Sequence, residues 1–561
     1  MNPPNPALVT LRGARRLPRL PLLLLCAAYL LPGLVGRDPW RNADLTAYAQ
    51  MAAIAEGRTP WWAPTLGGVP ADTALLPHWL GAAAIVAGSP WLDPAVAARI
   101  PFAILLALTF GLVWYSSFHL ARTEAAQPLP FAFGGEADPL NYARAIADGA
   151  LLALMATLGL LQLGHETTPE LAQLAAMSLL LYALAAAPFR ARRSRAAVLA
   201  SLPLLAGSGA PSMALAAGLG AWIVCRGSPD GPVRALRPWI AAGLVLAALL
   251  AAALGAWHLR TDALTLAGIG RLLRQWLWFL WPVWPLALWT LWRWRHRLTD
   301  RHLAVPLVPV AVALMANIAM AGSDRALMLG LPGMAVLAAF ALPTLSRGAA
   351  AAIDWLSMCY FTLWALVFWV LYCALQTGVP ASTAGNLARL LPGYVSHFSA
   401  PALALALLGT GAWVAVVRWR TGRHREALWK SLVLPAGGVA LCWLLAMTLL
   451  LPALDYARSA RPWVDRIAAL LPPGACIAAP GLAAPEVAAL EAVGHWAVDA
   501  RSGAAAGPCP VLLLAASPEA KPAPPGWRRL GTVVRPTDRE DVTTLYLRAA
   551  AAPPPAAPRA R

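Results

Sequence analysis

The chain has 561 residues, of which 59% are hydrophobic and only 12% are charged. A soluble protein lacks the core volume to bury so much apolar surface, so the composition predicts a chain that spans a lipid bilayer. Its 44 basic residues outnumber its 26 acidic residues, which gives a net charge of +18, yet the basic residues occur in short bursts between apolar runs. That distribution follows the positive-inside rule of membrane proteins and does not indicate nucleic-acid binding.

The basic bursts predict the cytoplasmic ends of the helices. They are RGARRLPR, RARRSR, RWRHR and RWRTGRHR, beginning at Arg12, Arg190, Arg293 and Arg418. The centre of residues 196–225, AGSGAPS, predicts a break that divides this stretch into two short helices. Together with a fourth span that ends at RARRSR, the apolar runs predict about 13 spans: residues 20–36, 100–120, 146–164, the pair within 196–225, 239–257, 276–291, 303–321, 326–345, 355–375, 400–417 and 431–451. We therefore expect a cytoplasmic N-terminus and an external C-terminus.

The composition changes at Asp455. The segment RPWVDRIAALLPPG predicts a helix, and ACIAAP, HWAVDA, CPVLLLAA, RLGTVV and TTLYLRA predict short strands between Pro/Gly turns. The predicted fold class is thus an all-α polytopic membrane protein with a small C-terminal α/β extracytoplasmic domain. We expect a membrane domain over residues 1–454 with a first external loop at 37–95, an α/β domain over 455–550, and a disordered Pro/Ala-rich tail at 551–561.

The cysteines show no metal-binding spacing. Cys476 and Cys509 lie in the polar C-terminal part, where an oxidising compartment would allow one disulfide. The others lie in apolar runs, where a small hydrophobic side chain is ordinary: Cys26, Cys225, Cys359, Cys373 and Cys442.

The first external loop is rich in carboxylates and tryptophans. Within ADLTAYAQMAAIAEG, residues such as Leu45, Ala49 and Ala52 recur at helical spacing, which predicts an amphipathic helix on the membrane surface with Asp44 near its start. An Asp at that place is also typical of a helix N-cap, and tryptophans are ordinary interfacial anchors.

Further polar groups are predicted on the same side of the membrane. His165 and Glu166 follow the third span, and Arg325 lies in GSDRALM. Arginine binds phosphate, and carboxylates hold a hard cation or accept a proton from a hydroxyl, so the set suits an anionic substrate. Asp44 and Glu166 are the candidate ligands of a divalent cation. Helix capping and interfacial snorkelling would explain each residue separately.

Residues 44–50, DLTAYAQ, resemble the D-E-x-R-Y-A motif in the first external loop of GT-C glycosyltransferases that use polyprenyl-phosphate sugars. Three later segments are similar to further motifs of that family in the same order: EGRTPWWAPTLGGVPADTALLPHWL, VAARIPFAILLAL and GSDRALMLGLPGMAVLAAFAL. The chain resembles above all the lipid A aminoarabinose transferases, relatives of the protein O-mannosyltransferases, and the resemblance extends over its whole length. It implies a GT-C fold and an enzyme of the cell envelope.

The resemblance implies roles for individual residues. Asp44 takes the place of the family's catalytic aspartate, and Asp72 falls where the family has a glutamate before Lys-Pro. Glu166 is the candidate for a second acidic site, which makes these three the predicted catalytic residues. We expect substrate contacts from four more: Tyr48 in the motif, His165, and Arg99 and Arg325 as cations for the donor phosphate.

The chain also departs from the family motifs. The usual glutamate after the first aspartate is Leu45, the motif arginine is Ala47, and the Lys-Pro after the second acid is Thr73-Ala74. The expected function is inverting transfer of a sugar from a polyprenyl-phosphate carrier to a lipid, glycan or protein acceptor on the periplasmic face of the bacterial inner membrane. The departures leave open a non-catalytic relative that binds lipid-linked sugar. A transporter of lipid-linked glycans is disfavoured, since the spans are nearly free of charge and no repeat is evident.

Overall fold

The structure is a computed structural model that describes residues 6–71, 74–131, 134–257, 265–422, 427–471, 474–515 and 524–549. Asp72 and the predicted tail at 551–561 lie outside the described residues. The chain divides into two compact units. The membrane unit comprises Met1–Arg37, Asp72–Ala384 and Ser396–Pro452, and the α/β unit comprises Asp38–Ala71, Gly385–Val395 and Ala453–Arg561.

Most of the described chain is helical. The helices in its first half are α1 (Arg19–Leu30), α2 (Ala43–Ala55), α3 (Leu75–Gly88), α4 (Pro94–Ala121), α5 (Pro139–Ala156), α6 (Leu158–Leu163), α7 (Pro169–Ala186), α8 (Ala191–Gly207), α9 (Pro211–Gly227), α10 (Gly231–Arg234), α11 (Arg237–Ala253) and α12 (Leu266–Phe279). Those that follow are α13 (Val283–Arg293), α14 (Arg301–Ala319), α15 (Asp324–Met328), α16 (Leu331–Ala341), α17 (Arg347–Thr377), α18 (Ala381–Leu390), α19 (Ala400–Thr421), α20 (Lys430–Leu449), α21 (Leu451–Arg458), α22 (Arg461–Ala468) and α23 (Ala484–Ala492). The strands are β1 (Thr65–Leu66), β2 (Val69–Pro70), β3 (Cys476–Ala478), β4 (Ala497–Asp499), β5 (Val511–Ala515), β6 (Trp527–Arg535) and β7 (Asp538–Arg548).

The membrane unit contains helices long and apolar enough to cross a bilayer. Among the described residues there are seven: Pro94–Ala121, Pro169–Ala186, Gly231–Ala253, Arg301–Ala319, Arg347–Thr377, Ala400–Thr421 and Lys430–Leu449. Shorter apolar helices add Arg19–Leu30, Leu75–Gly88 and Leu331–Thr344. The chain is therefore a multi-pass membrane protein, as its composition predicts, while the number of about 13 spans stays a prediction.

Local sequence signals explain several helix boundaries. Asp93 caps α4, since its carboxylate accepts hydrogen bonds from the backbone N–H groups of Ala95 (2.9 Å) and Val96 (3.3 Å). Between α8 and α9 the chain reverses at Gly209, whose φ of +85° favours glycine. The predicted break within residues 196–225 is thereby confirmed as two helices.

The α/β unit is built on a five-stranded mixed sheet in the order β4-β3-β5-β7-β6. Strand β3 pairs in parallel with both β4 and β5, whereas β7 pairs antiparallel with β5 and β6. Strands β3, β4 and β5 lie within the segments that the sequence predicts, whereas β6 and β7 overlap their predicted segments and extend beyond them. On one face, buried side chains from the sheet pack with those of α22 and α23, including Trp463, Ile467, Leu490 and Leu545.

A disulfide joins Cys476 in β3 to Cys509, which precedes β5. Cys509 belongs to a small buried cluster that includes Leu512 and Tyr546. The disulfide cross-links the neighbouring strands β3 and β5 at a sequence separation of 33 residues. It matches the pairing that the sequence allows for an oxidising compartment.

The β1–β2 hairpin, formed by residues 65–70, packs within the α/β unit. A Cβ atom on Gly67 would lie 2.7 Å from side-chain carbons of Val487 and Ala500, so this approach needs a glycine. The Gly67 N–H donates to Glu491 (2.9 Å), and an Arg58 guanidinium nitrogen lies 3.6 Å from the same carboxylate. Burial nevertheless raises the pKa of Glu491.

The structure corrects the expected position of the helix that begins after Asn42. Helix α2 forms where predicted, but side chains on most of its faces are buried, including Leu45, Ala47 and Met51, and it packs against α23. It is therefore a core helix of the α/β unit and not an amphipathic helix on the membrane surface. Its alanine content explains the difference, since small apolar residues on every face allow close packing all round.

Candidate functional site

In the membrane unit, a tight turn between α14 and α15 presents Arg325. The turn passes through Gly322 at φ +106°, and the Ser323 hydroxyl then caps α15 by accepting from the Ala326 N–H (3.3 Å). Asn317 is fully buried at the end of α14 and donates to the carbonyl of Ser323 (2.9 Å). These contacts fix the backbone next to Arg325.

Helix α12 supports the same turn from its polar face. The Trp276 indole donates to the Asn317 side-chain oxygen (2.8 Å), and the Gln275 amide donates to the Gly322 carbonyl (2.9 Å). Gln275 also hydrogen bonds to Asp324, the residue before Arg325. This hydrogen-bond network, which is centred on the buried Asn317, holds the turn in place, so α12 and α14 together position Arg325.

The Arg325 guanidinium lies between two carboxylates. Its Nη2 donates to Glu166 at 2.5 Å, and its Nη1 donates to Thr168 at 2.9 Å and to Glu170 at 3.4 Å. Glu166 is buried and accepts a further hydrogen bond from Gln162 (3.0 Å). The structure thus brings together Glu166 and Arg325, two predicted site residues that are 159 positions apart in the sequence.

A cavity of about 320 Å³ adjoins this ion pair. One part of its wall is polar and is formed by Arg325, Glu170, Gln173, Ser212 and Ser323. The other part is apolar and includes Met213, Met315 and Met320. A cation, a carboxylate, an amide and hydroxyls beside methionines suit a ligand with a polar, hydrogen-bonding head and an apolar remainder.

Arg99 makes a different kind of contact. It is only 3% exposed, and its Nη1 donates to the backbone carbonyl of Arg37 at 2.9 Å. Arg37 is also buried and donates to the carbonyls of Gly33 (2.8 Å) and His165 (2.6 Å). Both guanidinium groups therefore donate to backbone carbonyls and hold the chain in position near the end of α1. Arg37 carries no local sequence signal of this role, because its hydrogen bond to the carbonyl of His165 joins distant segments.

His165 lies against the same backbone. Its Nδ1 is 2.6 Å from the carbonyl of Leu161 and its Nε2 is 2.8 Å from the carbonyl of Tyr29. Its ring also packs against Trp443, with centroids 4.5 Å apart. These contacts tie α1, α6 and α20 together.

Asp44 and Tyr48 belong to the α/β unit. Asp44 is 2% exposed, and its Oδ2 accepts from the backbone N–H of Trp40 at 3.1 Å, which closes the turn that leads into α2. Tyr48 is also buried, and since it lies one helical turn after Asp44, the two side chains share a face of α2. Asn42 and not Asp44 is the N-cap residue of α2, so the carboxylate in the first turn accepts from Trp40, which precedes the helix, and does not make the N-cap contact that one interpretation of the sequence expects.

A second set of polar residues surrounds the start of this segment. Arg461 donates to both carboxylate oxygens of Asp38 (2.9 and 2.8 Å), and Ser459 donates to Asp38 at 2.7 Å. Asp455 accepts from the Trp40 indole (3.1 Å) and from the Asp38 N–H (3.0 Å). Hydrogen bonds to Asp38 raise the pKa of the Arg461 guanidinium. Asp38 is one of the carboxylates of the predicted first external loop, whereas no sequence signal points to its partner Arg461.

Leu45, which stands where the family has a glutamate, is a buried core residue. It packs in the same hydrophobic cluster as Trp463, Ile467 and Leu490. Leu45 therefore contributes apolar packing to the α/β unit, although it follows Asp44 directly in the sequence. A carboxylate there would lie among aliphatic and aromatic side chains, which is costly without a partner.

The described residues do not assemble a metal centre. No group of three or more His, Cys, Asp or Glu side chains among them gathers closely enough to hold an ion. The candidate ligand Glu166 is bonded to Arg325 and Gln162, and the candidate ligand Asp44 accepts from Trp40. A divalent cation at Asp44 and Glu166 stays a prediction.

The apolar helices of the membrane unit and the small α/β unit define a polytopic membrane protein with a GT-C-type fold. The fold is similar to crystal structures of ArnT from Cupriavidus metallidurans, a lipid A aminoarabinose transferase with the GT-C fold. The structure bound to undecaprenyl phosphate has a TM-score of 0.57 and 14% identity, covering 95% of this chain and 98% of that chain. The apo structure has a TM-score of 0.56 and 14% identity, covering 94% and 96%.

No family model and no curated protein sequence matches the chain. The likeness to ArnT confirms the GT-C fold that the motifs predict, over nearly the whole length of both chains.

Proposed function

We propose that the protein is an integral-membrane glycosyltransferase. It would move a sugar from a polyprenyl-phosphate carrier to a lipid, glycan or protein acceptor, with inversion at the sugar. One observation carries the proposal: the fold matches ArnT from end to end, and that protein was crystallised with undecaprenyl phosphate. A shared fold alone hosts different activities, so the polar residues described above must supply the chemistry.

Asp44 is the proposed catalytic carboxylate. With a hydroxyl acceptor, it would accept the hydroxyl proton as the acceptor oxygen attacks the anomeric carbon of the sugar. With a phosphate acceptor, no strong base is needed, and the carboxylate would orient the nucleophile. The buried position of Asp44 and its hydrogen bond from Trp40 support a fixed carboxylate. Tyr48, on the same helix face, and Asp72 are further proposed substrate and catalytic residues.

Arg325 is the proposed cation for the donor phosphate. Negative charge develops on the lipid phosphate as the sugar leaves, and a preorganised guanidinium stabilises that charge. Its place in the polar part of the wall of a mostly apolar cavity supports this role. Arg99 and His165 would contribute less directly, because their hydrogen bonds go to backbone carbonyls.

We propose that Glu166 controls how tightly Arg325 binds the donor phosphate. The buried carboxylate of Glu166 holds the guanidinium in place. To bind the donor, Arg325 must exchange part of its pairing with Glu166 for a hydrogen bond to a phosphate oxygen. Glu166 is also the candidate second ligand if the enzyme uses a divalent cation. Turnover measured before and after chelation with EDTA, and again after addition of Mg²⁺ or Mn²⁺, tests that requirement.

We propose a location in the bacterial inner membrane with the α/β unit in the periplasm. The basic bursts and the Cys476–Cys509 disulfide support this orientation, since disulfides persist in oxidising compartments. Alkaline phosphatase fused after the α/β unit should be active in this orientation. Inactivity there, together with activity of a fusion in the RARRSR loop, would reverse the assignment.

The test of activity is sugar transfer by the purified protein in lipid nanodiscs. Asp44→Asn should reduce the rate about 10²- to 10⁴-fold, the range for a general base. Asp93→Asn is the matched control, because Asn also caps helices and should maintain α4 and the rate. Equal rates for wild type and Asp44→Asn would remove Asp44 from the reaction.

A second function is favoured by Leu45. Because the family glutamate is replaced by a core residue, the chain would suit a non-catalytic protein that binds lipid-linked sugar. If the protein only binds, the wild type and the Asp44→Asn variant should bind the donor with equal affinity. Neither should release sugar with any acceptor.

A further inference from the structure

An apolar cavity of about 650 Å³ lies in the membrane unit. Its wall is formed by α12, α13, α17, α20 and the end of α5, and it contains aromatic side chains such as Trp278, Trp284 and Phe361. Ser357 is among the few polar liners. A volume of this size with so few hydrogen-bonding groups suits a hydrocarbon chain and not a sugar or a phosphate.

The cavity has a length that matches one leaflet of a bilayer. Its liners on α17 run from Ala352 to Phe361, which is about 13 Å at 1.5 Å per residue. Half of a typical hydrocarbon core is about 15 Å. Liners on α20, Leu432 and Pro435, belong to the first turns of that helix, so the cavity extends from the beginnings of α17 and α20 toward the bilayer centre.

The cavity is open on the side that faces lipid. Several liners have large exposed fractions, namely Trp278 (63%), Leu356 (53%) and Leu277 (52%). Exposed apolar side chains of a membrane-spanning unit contact lipid tails. A hydrocarbon chain can therefore enter sideways from the bilayer.

Basic residues flank one end of the cavity. Arg347 is the first residue of α17, five positions before the liner Ala352, and Lys430 is the first residue of α20. Asp354, nearby on α17, is paired with Arg420 of α19, so among the described residues named here Arg347, Arg420 and Lys430 outnumber the one carboxylate. Such a balance attracts an anionic headgroup at the membrane surface.

We propose that this cavity binds one acyl chain of an anionic phospholipid. The chain would lie along α17 between Ala352 and Phe361, and the phosphate would lie at Arg347 and Lys430. The lipid belongs to the leaflet that contacts the basic ends of the helices. This site is separate from Arg325 and does not depend on the proposed transferase activity.

The experiment counts lipids retained by the full-length protein. Wild type, Ala352→Trp and Ala351→Trp are purified in detergent, equilibrated with equal amounts of phosphatidylglycerol, phosphatidylcholine and undecaprenyl phosphate, and analysed by native mass spectrometry. Ala352 lines the cavity, whereas its neighbour Ala351 does not. Both alanines are exposed, so an indole at either position leaves the packed core intact, and equal melting temperatures verify folding.

Wild type and Ala351→Trp should each retain one phosphatidylglycerol in preference to phosphatidylcholine, and Ala352→Trp should lose it. Arg347→Gln should reduce the preference for phosphatidylglycerol about fivefold, the effect of one basic residue near a membrane surface. Equal retention by the two Trp variants overturns the proposal. The proposal is also overturned if Ala352→Trp loses undecaprenyl phosphate and not phosphatidylglycerol, because the cavity would then hold a polyprenyl tail.

Discussion

Replacing Glu166 by Gln keeps the shape of the side chain but removes the charge that holds Arg325. The pair is close, with Nη2 and Oε2 at 2.5 Å, and the exposed fractions of the side chains are 23% for Arg325 and 6% for Glu166. Hydrogen bonds to charged groups contribute about 1.5–3 kcal/mol, and the partial exposure of Arg325 favours the lower end of that range. About 1.4 kcal/mol corresponds to a tenfold change in affinity.

If Arg325 binds the lipid phosphate, the phosphate competes with Glu166 for the guanidinium. Glu166→Gln should then increase the affinity for undecaprenyl phosphate about tenfold, whereas Arg325→Gln should decrease it by at least as much. Glu170→Gln is the matched control, since its longer contact of 3.4 Å predicts a smaller increase. Because Glu166 is also a proposed catalytic residue, its variant should bind the carrier more tightly yet turn over more slowly.

The assay is equilibrium binding of undecaprenyl phosphate to each variant in nanodiscs at fixed ionic strength, with melting temperatures measured in parallel. A purely structural ion pair would lower the melting temperature in both Glu166→Gln and Arg325→Gln without opposite changes in affinity. Affinity changes of the same sign, or none, would refute phosphate binding by Arg325.

Three further changes test the α/β unit. Glu491 has a raised pKa in the folded state, so its contribution to the stability of the fold declines as pH rises from about 4.5 through that raised pKa. In Glu491→Gln the side chain still accepts from Gly67 but no longer titrates. The free energy of unfolding of this variant, followed by tryptophan fluorescence, should therefore depend less on pH over this interval. Cys509→Ser removes the cross-link to Cys476 and should cost about 3–4 kcal/mol by the loop-entropy model for a separation of 33 residues, measured by urea unfolding. Leu45→Glu should destabilise the unit by several kcal/mol in the same assay, because it places a carboxylate in an apolar core, and wild-type stability would contradict that assignment.

The sequence predicts well those features that depend on local patterns. The five strands of the sheet are predicted because each is a short run of strand-forming residues between Pro/Gly turns. The reversal between α8 and α9 is predicted because Gly209 lies inside AGSGAPS, where a positive φ can be adopted without strain. The GT-C fold is predicted because several motifs occur in family order.

Features that depend on distant contacts are not visible in the sequence. Asp38 and Arg461 are 423 positions apart, and no local pattern indicates their ion pair. Arg99 is predicted as a phosphate ligand on its motif position alone, whereas its guanidinium contacts the backbone of Arg37. The burial of α2 is missed because alanine is compatible with both a surface helix and a tightly packed one, and only its neighbour α23 decides between them.

The most direct test of the proposed function is the fate of the carrier. Wild-type protein in nanodiscs is mixed with a polyprenyl-phosphate-linked sugar and a panel of lipid, glycan and protein acceptors, and free polyprenyl phosphate is quantified by mass spectrometry over time. The proposed transferase predicts that free polyprenyl phosphate accumulates in step with glycosylated acceptor and stops when Asp44 is replaced by Asn. A carrier that is bound but stays fully glycosylated with every acceptor would contradict an enzyme and indicate a binding protein.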